Sequence, residues 1–148
     1  MYAKQLYVGW GDLDANGHMR NTAYLDRAAD VRMFFFAEHG FPVREFAQLG
    51  LGPVIRQDTL EYRRECYLLE PIRVTLAIQA LSADASRFVI VNEFLRGESQ
   101  LAARVVSLGG WLDQRARALV APPAALAEVL RTAPRTGDFV ELPGLASD

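Results

Sequence analysis

Hydrophobic and polar residues alternate over the first ten positions of the chain. Leu6, Val8 and Trp10 share one side of an extended backbone, while Gln5 and Tyr7 share the other. A period of two predicts a short β-strand over residues 2–10. Residues 12–21 are rich in short polar side chains and glycine, and they predict a loop.

A helical period follows over residues 22–38. Its apolar stripe, at i, i+4, i+7 and i+11, consists of Tyr24, Ala28, Val31 and Phe35. A second apolar row lies beside the stripe, so this helix needs to be covered on most of its sides. Asn21 or Thr22 suits the N-cap, and Gly40 followed by Pro42 suits the end of the helix.

Four further strands are predicted, joined by short turns, over residues 54–67, 72–80, 87–95 and 100–112. A short amphipathic helix is expected after Pro122 and Pro123. Because short connections favour antiparallel pairing, the pattern predicts an α+β fold. We expect a five-stranded antiparallel sheet wrapped around one long central helix, in a single domain over residues 1–131. Residues 132–148 show no period and predict a C-terminal tail without regular structure.

The composition limits which partners the protein can bind and in which compartment it is expected. The 148 residues carry a net charge of -2 and a pI near 5.7, which argues against a nucleic-acid binder. Cys66 stands alone, so an internal disulfide is impossible, as is usual in a reducing compartment. No apolar run is long enough for a membrane span. We therefore expect a cytoplasmic protein that binds neither nucleic acid nor membrane. With two histidines at unsuitable spacing, we expect no metal, and we expect no cofactor.

The densest polar motif, WGDLDANGHMRNTAYLD at residues 10–26, precedes the long helix. Asp14 supplies a carboxylate that can act as a base or as a nucleophile. Free N–H groups at the start of the helix can stabilise negative charge on a carbonyl oxygen. Gly17 allows a close backbone approach between the two. Asp12 fits a structural role in the turn, whereas His18 is open to three roles: general acid, ligand contact or a residue that ties the loop.

The same motif resembles the start of the hotdog-fold thioesterases, in the 4-hydroxybenzoyl-CoA thioesterase and acyl-CoA thioesterase group. The resemblance implies that Asp14 is the catalytic carboxylate and that the backbone N–H of Asn21 polarises a thioester carbonyl. It implies that Tyr24 packs rather than reacts. It also implies a homodimer or homotetramer whose active site lies at the subunit interface, with residues 54–67 of a second chain in the pocket wall.

An acyl-CoA substrate would present several negative charges, which arginine holds well. Arg63, Arg64 and Arg87 are the candidates for substrate binding. Strand alternation places Arg63 and Arg64 on opposite faces, so we expect at most one of them in a given groove.

Several alternatives stay open on the sequence alone. Another branch of thioesterases uses a carboxylate within the central helix, for which Asp26, Asp30 or Glu38 would be the candidate. The substrate is either an acyl-CoA or an acyl group on an acyl carrier protein, and a non-catalytic acyl-thioester binding module is a further possibility. Asp14 as general base and Asp14 as nucleophile are not separated, and acyl specificity is not set.

Overall fold

Seven strands and three helices form the fold in a computed structural model that describes residues 1–145. The strands are β1 Tyr2–Tyr7, β2 Leu51–Tyr62, β3 Pro71–Ser82, β4 Arg87–Arg96, β5 Gln100–Asp113, β6 Ala118–Val120 and β7 Arg135–Leu142. The helices are α1 Ala23–Glu38, α2 Val43–Leu49 and α3 Ala124–Thr132.

Five strands form the main sheet, in the order β1-β3-β4-β5-β2. All four pairings along this path are antiparallel. The antiparallel pairing expected from the short connections holds for β3, β4 and β5, which are consecutive neighbours, whereas β2 pairs with β5 and not with β3. This order leaves β2 as an edge strand, which pairs with β5 from Leu51 to Tyr62 and with no other strand of the described chain.

Helix α1 packs against the concave face of this sheet. Its buried residues include Tyr24, Ala28, Val31 and Phe35, the stripe that the helical period predicts. Phe36 contacts Trp111 of β5 with the rings 5.5 Å apart. Each large apolar side chain buried in this way contributes about 1.5–3 kcal/mol to the free energy of folding. The packing of the helix on the sheet is therefore a main source of stability. The α+β hotdog architecture, with a sheet wrapped around one long helix, is confirmed.

The additional strands correct the prediction at the C-terminal end. Residues 135–142 form β7 instead of an irregular tail, and β7 pairs in parallel with β3 beyond the end of β1. Strand β6 pairs with the end of β5. Neither strand shows alternation in its sequence, because β7 buries no residue fully and β6 spans only three residues. Residues 146–148 of the expected tail lie outside the described residues.

Strand boundaries also differ at the two segments that flank the polar motif. The first strand ends at Tyr7, and Trp10 instead begins a short 3-10 turn, with 81% of its surface exposed. The second strand begins at Leu51 and ends at Tyr62, five residues earlier than predicted. The segment released from this strand folds back toward the polar loop. Within residues 1–145, no helix is long and apolar enough to cross a membrane.

Candidate active site

Asp12 fixes the start of the loop between β1 and α1. Its Oδ2 accepts the Gly9 N–H at 2.8 Å and two N–H groups of Arg27, at 2.8 and 3.3 Å. Arg27 also donates to the carbonyl of Tyr7 at 3.1 Å. One carboxylate therefore joins the end of β1 to the side of α1, which is the structural role that the sequence suggested for Asp12.

Asp14 sits at the tip of the loop and is exposed. Its Oδ1 accepts the N–H groups of Asn16 at 2.9 Å and His18 at 3.1 Å. Its own N–H donates to the carbonyl of His18 at 2.8 Å, and Gly17 closes the turn with a φ of +79°. These bonds fix the orientation of the carboxyl group. Among residues 1–145, no donor reaches Oδ2, so this oxygen is available to a ligand.

The loop is held from its other side by residues 65–67. Met19 donates its N–H to the carbonyl of Cys66 at 2.8 Å, and His18 forms a bridge with Tyr67. The imidazole Nε2 lies 3.1 Å from a carboxylate oxygen of Glu65, and the ring packs edge-on against Tyr67. His18 therefore ties the loop to the neighbouring segment and also lines the pocket described below.

Free backbone donors lie at the beginning of α1. The N-cap, Thr22, makes no side-chain capping bond. Within the described chain, no acceptor takes the N–H of Asn21 or of Thr22. The carbonyl of Asn21 accepts the hydroxyl of Tyr62 at 3.0 Å, which ties this turn to the end of β2. N–H groups at a helix N-terminus attract negative charge, so this turn can receive a developing oxyanion.

Tyr24 lies in the first turn of the helix and is buried. Its ring makes edge contacts with Tyr62 at 5.6 Å and with Phe94 at 5.1 Å. Burial raises the pKa of the Tyr24 hydroxyl, and the neighbouring Cys66 thiol raises it further. A phenol in this environment stays protonated, so Tyr24 forms a wall and does not act as a base.

These groups converge on one open pocket of about 400 Å³. The loop and the helix start supply one wall, and residues 62–65 supply the other. Its lining includes Asp14, Asn16, His18, Asn21, Tyr24, Tyr62, Arg63, Arg64 and Glu65. The structure thus brings together the predicted carboxylate, the predicted helix start and two of the three predicted arginines, with Gly17 in the turn between them.

Arg63 and Arg64 both line this pocket, in contrast to the prediction from alternation. Strand β2 ends at Tyr62, and the N–H groups of both arginines converge on the carbonyl of Ala102, at 2.8 and 3.0 Å. The regular alternation of a strand therefore stops just before this pair. Arg63 also contacts Glu61 at 3.0 Å, on the exposed surface.

Arg87, the third arginine predicted to bind substrate, lies outside this pocket in a single chain. It pairs with Gly110 on β5, whereas Tyr62 pairs with Ala103 of the same strand. At about 3.3 Å per residue, these positions lie roughly 23 Å apart along β5. Arg87 lines a separate cavity with Ser86 and Gly110, outside the pocket of Asp14 in a single chain.

The carboxylates of α1 are used in ion pairs outside the pocket. Asp26 contacts Arg20 at 3.4 Å, and Asp30 contacts Arg27 at 3.7 Å. Glu38 accepts hydrogen bonds from Tyr2 and Lys4 at the opposite end of the helix. None of the three lines the pocket, whereas Asp14 does. Within residues 1–145, no group of three His, Cys, Asp or Glu side chains is arranged to hold a metal ion.

The contacts that Tyr62 and Glu65 make in this site are not predictable from the sequence. Tyr62 contacts Asn21 across 41 positions, and Glu65 contacts His18 across an even longer separation. Neither contact has a local pattern that predicts it, since both follow from the way the chain leaves β2. The only signal was the nearby arginine pair, which marked the same segment.

A family model described as the thioesterase-like superfamily matches residues 8–130. The match includes the polar loop, α1 and the four strands β2 to β5. Comparison with curated proteins finds no match.

Several solved structures share this fold. The hypothetical protein SAV2348 from Staphylococcus aureus, solved in complex with CoA, is 21% identical, with a TM-score of 0.80 over 96% of this chain and 95% of that one. Slr0204, a 1,4-dihydroxy-2-naphthoyl-CoA thioesterase from Synechocystis, is 16% identical, with a TM-score of 0.79 over 88% and 96%. The probable thioesterase YbaW from Escherichia coli is 19% identical, with a TM-score of 0.75 over 91% and 100%.

Proposed function

The chain belongs to the thioesterase-like superfamily and is a thioester hydrolase, and from that premise we propose that it hydrolyses acyl-CoA at the pocket of Asp14. The observation that carries the proposal is a juxtaposition. The free oxygen of Asp14 and the unbonded N–H groups at the start of α1 line the same pocket. Thioester hydrolysis needs an activated water or a nucleophile and a site for the oxyanion, and these two groups can supply both.

In the first route, Asp14 acts as general base. The thioester carbonyl oxygen accepts the N–H of Asn21, and Oδ2 of Asp14 takes a proton from an attacking water. The new C–O bond forms, the C–S bond breaks, and the proton passes to the leaving CoA thiolate. In the second route, Oδ2 attacks the carbonyl itself, the C–S bond breaks, and CoA leaves as its thiolate to give a mixed anhydride. Water then cleaves the anhydride, which releases the acid and restores the Asp14 carboxylate, and the proton from the water passes to the CoA thiolate. Both routes use the same geometry.

Arg63 and Arg64 are suited to hold the charged part of CoA. They flank the pocket on the side opposite the loop, and both are exposed. One guanidinium group can donate two N–H groups at once to the oxygens of a phosphate. A structural neighbour of the same fold was solved in complex with CoA, which supports CoA as the carrier.

We place the active site at a subunit interface. Strand β2 has an open edge along its length, and the pocket lies at its end, beside Tyr62. An open edge is a ready surface for pairing with a second copy. A dimer or tetramer formed through β2 would bring residues of the partner close to the pocket. The lone Cys66 suits the reducing environment of the cytoplasm, where we propose that the protein acts.

The test of this proposal is hydrolysis of a panel of acyl-CoA esters, followed by release of free thiol, with Asp14→Asn beside the wild type. Loss of a general base or nucleophile predicts a fall in kcat of roughly 10²–10⁴ with the oligomer intact. Asp30→Asn, which removes an exposed carboxylate outside the pocket, is the matched control and should retain wild-type turnover. Wild-type activity in Asp14→Asn would disprove the assignment.

Two further readouts separate the remaining alternatives. The first readout is single-turnover hydrolysis in ¹⁸O water. If the carboxylate attacks, water that opens the anhydride at the Asp14 carbonyl leaves ¹⁸O in Asp14. If Asp14 acts as general base, its side chain stays unlabelled. The exposed arginines at the mouth also suit an acidic carrier, so acyl esters of an acyl carrier protein belong in the panel. Faster turnover of these esters than of matched CoA esters would move the assignment to the carrier protein.

A further inference from the structure

A second cavity lies on the face of the sheet that points away from α1. Phe88 contacts Trp111 in the core between the sheet and α1, so its neighbour Arg87 points to the opposite face. Gly110 pairs with Arg87, and both residues line this cavity, which encloses about 210 Å³. As shown for Arg87, the position lies roughly 23 Å along β5 from the strand position that pairs with Tyr62. The cavity is therefore separate from the candidate active site of the same chain.

The lining of this cavity combines apolar walls with positive charge. Its apolar side chains come from three strands and the C-terminal segment, and they are Val54, Ile55, Leu108, Leu119 and Leu145. Arg56 and Arg87 are the charged residues of the lining, which includes no Asp or Glu of the described chain. An apolar cavity of about 150 Å³ can bind benzene. This one therefore has room for a single ring with a short polar arm.

Arg56 reaches the cavity from a β-bulge in the open edge strand. Ile55 pairs with Gly109 and Gln57 pairs with Leu108, so Arg56 is an extra residue with no partner on β5. A bulge interrupts the alternation of a strand and re-aims one side chain. Arg56 is half-buried, and among the described residues its guanidinium has no acceptor. Its N–H groups are therefore available to a ligand.

Bare backbone forms the floor of the cavity. Arg87, Gly110 and Val54 are neighbours in register across β4, β5 and β2, and the glycine in the middle leaves a depression in this row. A Cβ on Gly110 would lie 2.8 Å from the carbonyl of Ser86, so a larger residue does not fit there. Arg87 is already engaged, since it donates to the carbonyl of Pro143 at 3.5 Å. The ligand contact is therefore assigned to Arg56.

We propose that this cavity binds a small apolar carboxylic acid, with its apolar group over Gly110 and its carboxylate on Arg56. A carboxylate can accept two N–H groups of one guanidinium in parallel. A cationic group against apolar walls without an acceptor is costly, and a bound carboxylate removes that cost. The inference does not depend on the hydrolytic site. Acids of this class are nevertheless what the proposed hydrolysis releases, so the protein would bind its own product away from Asp14.

The test is calorimetric titration of the full chain with phenylacetate and with phenylacetamide. These two ligands have nearly the same shape and differ in charge. We expect the acid to bind about tenfold more tightly or better, because a hydrogen bond to an ionised acceptor is roughly twice as strong as a neutral one. The affinity for the acid should also fall as the salt concentration rises, since Arg56 is partly open to solvent. Arg56→Met should bring the two affinities together.

Leu119→Trp is a second variant, which leaves Arg56 in place. Leu119 is 54% exposed at the rim, so a larger ring can occupy the cavity without entering the core. This variant should abolish the binding of phenylacetate. Arg44→Met is the matched control, because Arg44 is exposed on α2 and is not part of the lining. It should keep the wild-type affinity.

Several results would overturn the inference. The first is no binding of the acid to the wild type, or equal affinities for the acid and the amide. The second is binding of the acid that survives in both Arg56→Met and Leu119→Trp. The third is a loss of binding in Arg64→Met but not in Arg56→Met, which would place the acid in the pocket of Asp14. The titration uses no thioester, so a failed hydrolysis assay leaves this inference unaffected.

Discussion

Replacing Asp12 with alanine should destabilise the protein much more than a typical change at a surface ion pair. The side chain is 13% exposed, and its partner Arg27 is 25% exposed. The change removes three hydrogen bonds from one oxygen and leaves the N–H of Gly9 and part of Arg27 without an acceptor.

The magnitude follows from these partners. An unsatisfied buried N–H costs about 1–3 kcal/mol, and breaking a fully buried ion pair costs about 3–5 kcal/mol. Since the pair is partly open to water, screening and access for solvent reduce the second figure. We expect the free energy of unfolding to fall by about 2–3 kcal/mol. For a chain of this size, that corresponds to a decrease in Tm of roughly 5–10 °C.

The assay is urea unfolding followed by circular dichroism, at one protein concentration because assembly would alter the apparent stability. Asp26→Ala is the matched control. That aspartate also pairs with an arginine, but at 3.4 Å and with 69% of its side chain exposed. A surface pair of this kind is worth less than about 1 kcal/mol. Equal losses in the two variants would refute the reasoning from burial and from the backbone N–H.

Three further predictions concern the stability of the sheet and its turns. Gly109→Ala should cost about 2–3 kcal/mol in urea unfolding or prevent folding, because a Cβ there would lie 2.3 Å from the carbonyl of Val54. Hydrogen bonds lower the pKa of the Asp84 carboxyl to about 2, and the bond from the Ser86 hydroxyl is the largest cause. The ionised form therefore stabilises the fold above about pH 4, and this contribution is lost as the pH falls toward 2. The stability advantage of wild type over Asp84→Asn, roughly 1 kcal/mol, should shrink across that range. Arg117→Gly should raise the free energy of unfolding by about 0.5–1 kcal/mol, measured as a slightly higher thermal midpoint, since the exposed Arg117 holds a φ of +56°.

The long helix and the central strands were predictable because their signals are local. The stripe from Tyr24 to Phe35 and the alternation after Pro71 each arise from burial on one face, which any stable packing must satisfy. Strand β7 has no such signal. Its residues are exposed or half-buried, and it becomes a strand because the edge of β3 offers hydrogen-bonding partners.

The same distinction between local and distant signals applies to the residues of the candidate site. Asp14, His18 and Asn21 fall within eight positions of one another, so a motif could identify them together. Tyr62 reaches Asn21 only through the course of β2, and Glu65 reaches His18 only because the chain after β2 folds back toward the loop. The sequence could not separate Arg87 from Arg63 and Arg64 by position, because alternation tells which face of a sheet a side chain occupies but not which end of the sheet it lies near. Contacts between distant strands depend on register, which sequence periodicity leaves undetermined.

The first and last strands lie along the same edge of β3, on the side of the sheet away from β2. Tyr2 pairs with Leu76, and Leu142 pairs with Ser82, six residues further along the same strand. A tag or tether attached at the N-terminus therefore emerges on the side of the sheet away from β2. Immobilising the protein through its N-terminus should leave the β2 edge facing solution, so capture on a surface is a practical way to measure its association with a second copy.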